Sequence, residues 1–180
     1  MGFNANTSKA SEGITIKPEG DYEVIISEIK RKQTPSGAQS IGFKYTVRND
    51  VAQSYQNACI FHDVWKKKEP NADDLMAEGY NYAQLMAIAG AAGLPANADF
   101  ESFDAFLNAL VGKPVKVHLY HNEYNGKISE RVDKHNKTAF PNVNHKQKTA
   151  ATGSSYAPTP AANYAAPAAT PANNNDDYPF

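Results

Sequence analysis

The chain is predicted to fold as a mainly β domain of five strands, with a helical insertion between strands three and four and a tail of different composition behind it. Three observations carry this expectation. Apolar and polar side chains alternate through Tyr22 to Ser27, Ile41 to Arg48 and Val115 to Tyr120, which is the two-residue period of a half-buried strand. Between Asn71 and Leu110 the apolar spacing changes to three and four residues, the period of a helix. From Thr149 to Asn175 the chain holds no Lys, Arg, Asp or Glu and consists almost only of Ala, Pro, Asn, Thr, Ser and Tyr, too little apolar content to offset the entropy of ordering. The expected organisation is a flexible N-terminus at 1–12, one domain at 13–148, a disordered linker at 149–175 and an acidic tip at 176–180.

The elements follow in order. Gly20-Asp21 is a turn signal, after which Tyr22, Val24 and Ile26 alternate with Glu23, Ile25 and Ser27 in a long first strand that runs toward Lys30-Arg31-Lys32. Pro35-Ser36-Gly37 makes the next turn. In strand two Ile41, Phe43, Tyr45 and Val47 share one face, and Gly42, Lys44, Thr46 and Arg48 share the other. Ser54 to Trp65 is a third β-rich run with poor alternation. Tyr82, Leu85, Met86 and Ala89 form a helical stripe that Gly93-Leu94-Pro95 brings to a close, and Phe103, Phe106, Leu107 and Leu110 form a second, stopped by Gly112-Lys113-Pro114. Val115, Val117 and Leu119 mark strand four. Asn125-Gly126 is the strongest short hairpin signal and leads into strand five from Lys127 to Asp133.

Composition limits the function. No stretch of about 18 apolar residues is present, and the first residues lack the basic and apolar regions of a secretory leader, so no membrane association is expected. Cys59 is the single cysteine, which leaves no intrachain disulfide and suits a reducing compartment. All 18 Lys and Arg and 17 of the 19 acids precede residue 149, so the body is nearly neutral and a polyanion site requires local clustering. Clusters occur at Lys30-Arg31-Lys32, at Lys66-Lys67-Lys68 and along Lys127, Arg131, Lys134, Lys137, Lys146 and Lys148.

Three strands, helices and a hairpin are the element order of an OB-fold, a five-stranded barrel that commonly holds single strands or oligosaccharides on its strand two–three face. Gly20-Asp21-Tyr22-Glu23-Val24 with Ile25-Ile26, Pro35-Ser36-Gly37, Tyr82-Ala83-Gln84-Leu85 and Val111-Gly112-Lys113-Pro114-Val115-Lys116-Val117 resemble a phage-associated family of single-stranded DNA-binding proteins of recombination and replication modules, formerly known only as a domain of unknown function. The resemblance spans about residues 13 to 145. The closing Asp176-Asp177-Tyr178-Pro179-Phe180 resembles the acidic tip by which bacterial and phage single-stranded DNA-binding proteins hold partner enzymes. These resemblances imply sequence-tolerant binding of single-stranded DNA in the host cytoplasm and recruitment of a helicase, primase, recombinase or nuclease through the tip. Assembly as a homodimer stays open.

Single strands expose base faces that stack on aromatics, and their phosphates follow cationic grooves. The residues expected to supply this are Lys30, Arg31, Lys32, Lys44, Arg48, Tyr55, Phe61, Trp65, Lys66, Lys67, His118, Tyr120, Tyr124, Lys127 and Arg131. Phe61 suits the core as well as it suits a base. The alternative is a recombination accessory or annealing factor that holds a protein rather than a free strand. Enzyme readings find little support: there is no phosphate-cradling Gly-Lys-Ser/Thr loop, no dinucleotide glycine pattern and no His-Glu-x-x-His. His118, His121, His135 and His145 fit no common zinc spacing, and no metal or cofactor is expected.

Overall fold

The computed structural model describes residues 16–147. The expected N-terminal segment at 1–12, the linker at 149–175 and the tip at Asp176 to Phe180 lie outside the described residues. Five strands, β1 (Gly20–Gln33), β2 (Gln39–Val47), β3 (Cys59–Trp65), β4 (Pro114–Tyr124) and β5 (Lys127–Asn136), form one antiparallel sheet in the order β3-β2-β1-β4-β5. Between β3 and β4 stand α1 (Ala72–Met76), α2 (Tyr82–Ala91) and α3 (Phe103–Leu110).

β1 is central because it is long enough to serve two neighbours: Gly20 to Ile25 pair with β4, and Val24 to Gln33 pair with β2. A bulge between Ile26 and Glu28 leaves Ser27 unpaired and shifts the alternation. Ahead of it Val24 and Ile26 face inward, and beyond it Ile29 and Arg31 do, so that Glu28, Lys30 and Lys32 line the outer face. Strand two behaves as its pattern requires, with Ile41, Phe43, Tyr45 and Val47 all fully buried. The hairpin between β4 and β5 turns at Asn125 and Gly126, with φ of 51° and 72°, the double left-handed conformation that favours this residue pair. The inner face of the sheet packs on Leu85 and Ile88 of α2 and on Phe106, Leu107 and Leu110 of α3.

The helical segment contains one helix more than the sequence pattern indicates. α1 has only five residues, too short to show a period, but its cap was written in the sequence as Asn71-x-x-Asp74. The Asp74 N–H donates to Asn71 Oδ1 at 2.8 Å and the Asn71 N–H donates back to Asp74 Oδ2 at 3.0 Å. Lys67 Nζ and the Tyr82 N–H also donate to this buried carboxylate, which they hold at a pKa of about 2.

No ladder joins β3 to β5 among the described residues, so the sheet is open. Across that gap the rings of His62 and His135 meet at 4.9 Å between centroids, edge to face. His135 Nε2 lies 2.9 Å from the Tyr45 hydroxyl, whereas the buried Nε2 of His62 has no partner. His62 thus completes the inward row of Ile60 and Val64, which explains why strand three alternates so poorly in hydropathy. Burial pushes His62 down to about 4 and His135 to about 3, so both rings are neutral in the fold. The unfolded chain, with histidine near 6.5, binds protons more readily, and stability therefore falls as pH drops below that value toward the folded pKa. Urea unfolding midpoints are expected to decline between pH 7 and pH 5, above the carboxylate range, and a variant carrying His62→Phe and His135→Phe is expected to show a flatter profile.

Beyond β5 the chain does not leave the domain at once. Residues 138–146 form a strap held by polar side chains from the start of β1 and the end of β2. Arg48 is the anchor: Nε and Nη2 donate to Asp50 at 2.9 and 2.6 Å, Nη1 to the Phe140 carbonyl at 2.6 Å, and Nη2 to the Asn142 carbonyl at 3.0 Å. Glu23 accepts from Thr138 and from the Ala139 N–H, and the Asn49 side-chain amide donates to the Lys146 carbonyl and accepts from the Lys146 N–H.

Candidate nucleic-acid interface

The outer face of β1, β2 and β3 gathers the best of the expected residues. Register sets Phe61 beside Lys44 and Lys44 beside Glu28; the next row is Asp63, Gly42 and Lys30, and the one after it is Trp65, Ser40 and Lys32. Phe61 and Trp65 are 57% and 43% exposed although each sits on a strand whose other face carries the fully buried Ile60 and Val64. Exposure on this scale, on two aromatics two residues apart, excludes a core role for Phe61 and leaves both rings accessible to a planar ligand. Gly42, between them and the lysines, contributes no side chain, and a depression of about 220 Å³ opens there between Phe61, Lys30 and Lys44.

A second depression, about 380 Å³, continues from the first, sharing Glu28 and Lys44 with it and reaching Ser27, Thr46, Asn57, His145 and Gln147. Together they make a trough along the outer sheet face. Its far bank is the strap, whose contribution has no signature in the sequence because extended segments held by side chains show no period. Ser27 and Thr46 belong to the same bank of polar groups: Thr46 donates to Ser27, and Ser27 donates to the Lys44 carbonyl.

The charges in the trough are unequal. Lys30 pairs with Glu28 at 2.7 Å, which holds that carboxylate below its ordinary range, and Lys32 pairs with Asp63 at 3.0 Å. Exposed pairs of this kind are weak and exchange readily for another anion. Lys44 makes no ion pair among the described residues and stands at the junction of the two depressions.

A second aromatic and cationic strip lies on the β4–β5 hairpin, where Tyr120 is opposite Arg131 and Tyr124 opposite Lys127. Tyr124 is among the most exposed aromatics of the described chain. His118, one pair further in, holds Asp21 at 2.8 Å. Tyr55 is partly exposed in the loop between β2 and β3, at a φ of 60°. The hairpin extends past the end of β1 at Gly20, whereas Trp65 and Lys32 lie near the other end of their strands, so the two strips stand toward opposite ends of the sheet.

One expected phosphate contact is corrected, and two others are paired with acids of the helical segment. Arg48 is fully buried, because β2 ends at Val47 and the strap closes over the next residue. Arg31 turns to the helix side after the Ser27 bulge but stays exposed, bonded to Glu78 and Asp104 and lying over the Phe103 ring at 5.6 Å. Lys67, partly exposed, pairs with the buried Asp74 at 2.8 Å. Lys66 keeps an exposed position, with its ammonium 5.7 Å from the Tyr80 ring centre and near Gln39.

The histidines are separately engaged: His118 with Asp21, His121 with the Lys17 carbonyl and Glu19, His135 with Tyr45, and His145 with the Asn49 N–H. No group of three or more His, Cys, Asp or Glu suited to a metal ion comes together among the described residues. No described helix is long and apolar enough to cross a membrane. The family model described as "Protein of unknown function (DUF669)" matches residues 3–158. No curated protein matches the chain.

Proposed function

The chain belongs to the DUF669 family, and we propose that it is a sequence-tolerant single-stranded DNA-binding protein, without enzymatic activity, that protects strands in phage replication or recombination. The observation that carries this reading is the outer sheet face: the solvent-facing Phe61 and Trp65 on one strand, the trough that opens beside Phe61, and lysines from the two neighbouring strands. Stacking needs an open ring face, and phosphate tracking needs cations spaced along a path; both requirements are met on one surface. Neither requires a base-specific donor, which accords with sequence tolerance.

The strand order supports an OB-like barrel as the scaffold. A five-stranded sheet ordered β3-β2-β1-β4-β5 closes when its outer members β3 and β5 meet, and the His62 and His135 rings touch across that seam. OB-folds are partly open barrels that bind along strands two and three. In this reading the tip at Asp176 to Phe180 recruits a replication or recombination enzyme, and the host cytoplasm is the site of action.

The test is a titration of labelled poly(dT) and of duplex DNA over a range of salt. Steeply salt-dependent binding of poly(dT), with weaker binding of duplex, is the expected result. Equal affinity for both forms, or none for either, would overturn the proposal. Lys44→Gln is expected to weaken poly(dT) binding and to reduce the salt slope by roughly one unit or less, the signature of a single phosphate contact.

A further inference from the structure

The helical side of the domain has the opposite electrical character from the trough. Residues 69–112 include seven acids and no Lys or Arg. Arg31 answers Glu78 and Asp104, and Lys67 answers Asp74. Glu69, Asp73, Asp99 and Glu101 form no ion pair among the described residues. Within this acidic segment lies an apolar groove of about 350 Å³, lined by Met76, Tyr82, Met86, Leu94, Phe100 and Phe103 among others.

Its floor is aromatic. Phe103 stacks on both Tyr80 and Phe106 with 6.0 Å between centroids, and Phe100 meets Phe106 edge-on at 5.4 Å. Its rim is exposed: Met76 is 66% accessible, and methionine is a side chain that adapts to varied apolar surfaces. Asp99 lines the groove, and Glu101 stands between the lining residues Phe100 and Ser102. Exposed apolar surface bounded by charge of one sign marks an interaction site, and the sign selects the occupant.

We infer that this groove docks a cationic, amphipathic segment of another protein, which places two or three large apolar side chains on the aromatic floor and Lys or Arg beside Asp99 and Glu101. Anionic occupants fit poorly. Nucleic acid and an anionic lipid surface meet like charge here, and so does the chain's own Asp176-Asp177-Tyr178-Pro179-Phe180. This surface is separate from the trough, and the inference does not depend on DNA binding.

Fluorescence anisotropy on the full chain tests it, with two labelled synthetic peptides as probes. One repeats Leu and Phe at helical spacing with Lys at the other positions; the second carries Glu in place of Lys. The Lys peptide is expected to bind at least about tenfold more tightly than the Glu peptide. The double variant Asp99→Lys and Glu101→Lys, both at solvent-facing positions, is expected to remove that preference. Met86→Glu is expected to weaken the Lys peptide, with circular dichroism confirming the fold, and poly(dT) titration should be unchanged by either variant. Equal binding of the two peptides, preference for the Glu peptide, or Lys-peptide affinity unmoved by the charge-reversed variant would overturn the inference. So would sedimentation showing self-association that Met76→Glu abolishes, because the occupant would then be a second copy of the chain.

Discussion

Replacing Trp65 with Ala is expected to weaken poly(dT) binding by about 1–3 kcal/mol, and Phe61→Ala by a similar amount, each the range of one base stacked on one aromatic ring. Since about 1.4 kcal/mol is tenfold in affinity, either loss is easily read in a titration. Both rings are exposed on β3, so neither substitution opens a core cavity, and thermal unfolding should change little. The two rings stand two residues apart on one strand face, close enough to hold one strand between them, so their double variant can depart from additivity. Unchanged affinity with an intact fold would remove β3 from the interface. Loss of the fold would show that these rings have a structural role that their exposure does not reveal.

Arg48→Ala is expected to produce the largest loss of stability, about 3–5 kcal/mol, the usual consequence of removing one member of a buried ion pair. The substitution leaves the largely buried Asp50 without its partner and releases the carbonyls of Phe140 and Asn142. Urea denaturation measures the loss. The same pair gives an acid dependence of known sign. Hydrogen bonds from Arg48, with the Asn144 N–H, hold Asp50 well below the usual carboxylate range. A lowered folded pKa means that the stabilisation is complete above the unfolded value, near 4, and is lost as pH falls from there toward the folded value. Arg48→Ala should therefore lose part of the acid sensitivity of the native chain between those limits. Where the variant is still folded, its salt slope for poly(dT) should match that of the native chain, in contrast to Lys44→Gln.

Arg48 also illustrates where sequence reading stops. Alternation correctly assigned Ile41, Phe43, Tyr45 and Val47 to the inner face and Lys44 to the outer one, because side-chain direction in a strand is a local property. For Arg48 the same alternation pointed to solvent, yet its environment is set by a strap some 90 residues later that has no period and no apolar face. The cluster Lys30-Arg31-Lys32 was legible as charge, but its division between the two faces was not: one unpaired residue at Ser27 reverses every side chain that follows it, and nothing in the sequence announces the bulge. His62 blurred the alternation of strand three by placing an imidazole where the pattern calls for an aliphatic residue. The Asn125-Gly126 turn, by contrast, was legible because its conformation depends on those two residues alone. Of the trough, Phe61, Lys30, Lys32 and Lys44 were legible as types, as was Trp65 beyond it on the same strand face, whereas Ser27, Thr46, Asn57, His145 and Gln147 join it only through tertiary structure.

The separation of charge between helices and sheet has a kinetic consequence. With seven acids and no cations in residues 69–112, the rest of the body before residue 149 carries 18 Lys and Arg against 10 acids. A nearly neutral domain of this kind is a strong electric dipole. On the proposed function, the field of a polyanion would exert a torque before any contact forms, turning the helices away and the sheet forward, so that a larger share of diffusional encounters would begin in a productive orientation. Ionic strength would then act chiefly on the rate of association, while the short-range contacts proposed at Phe61 and Trp65 would govern the lifetime of the complex.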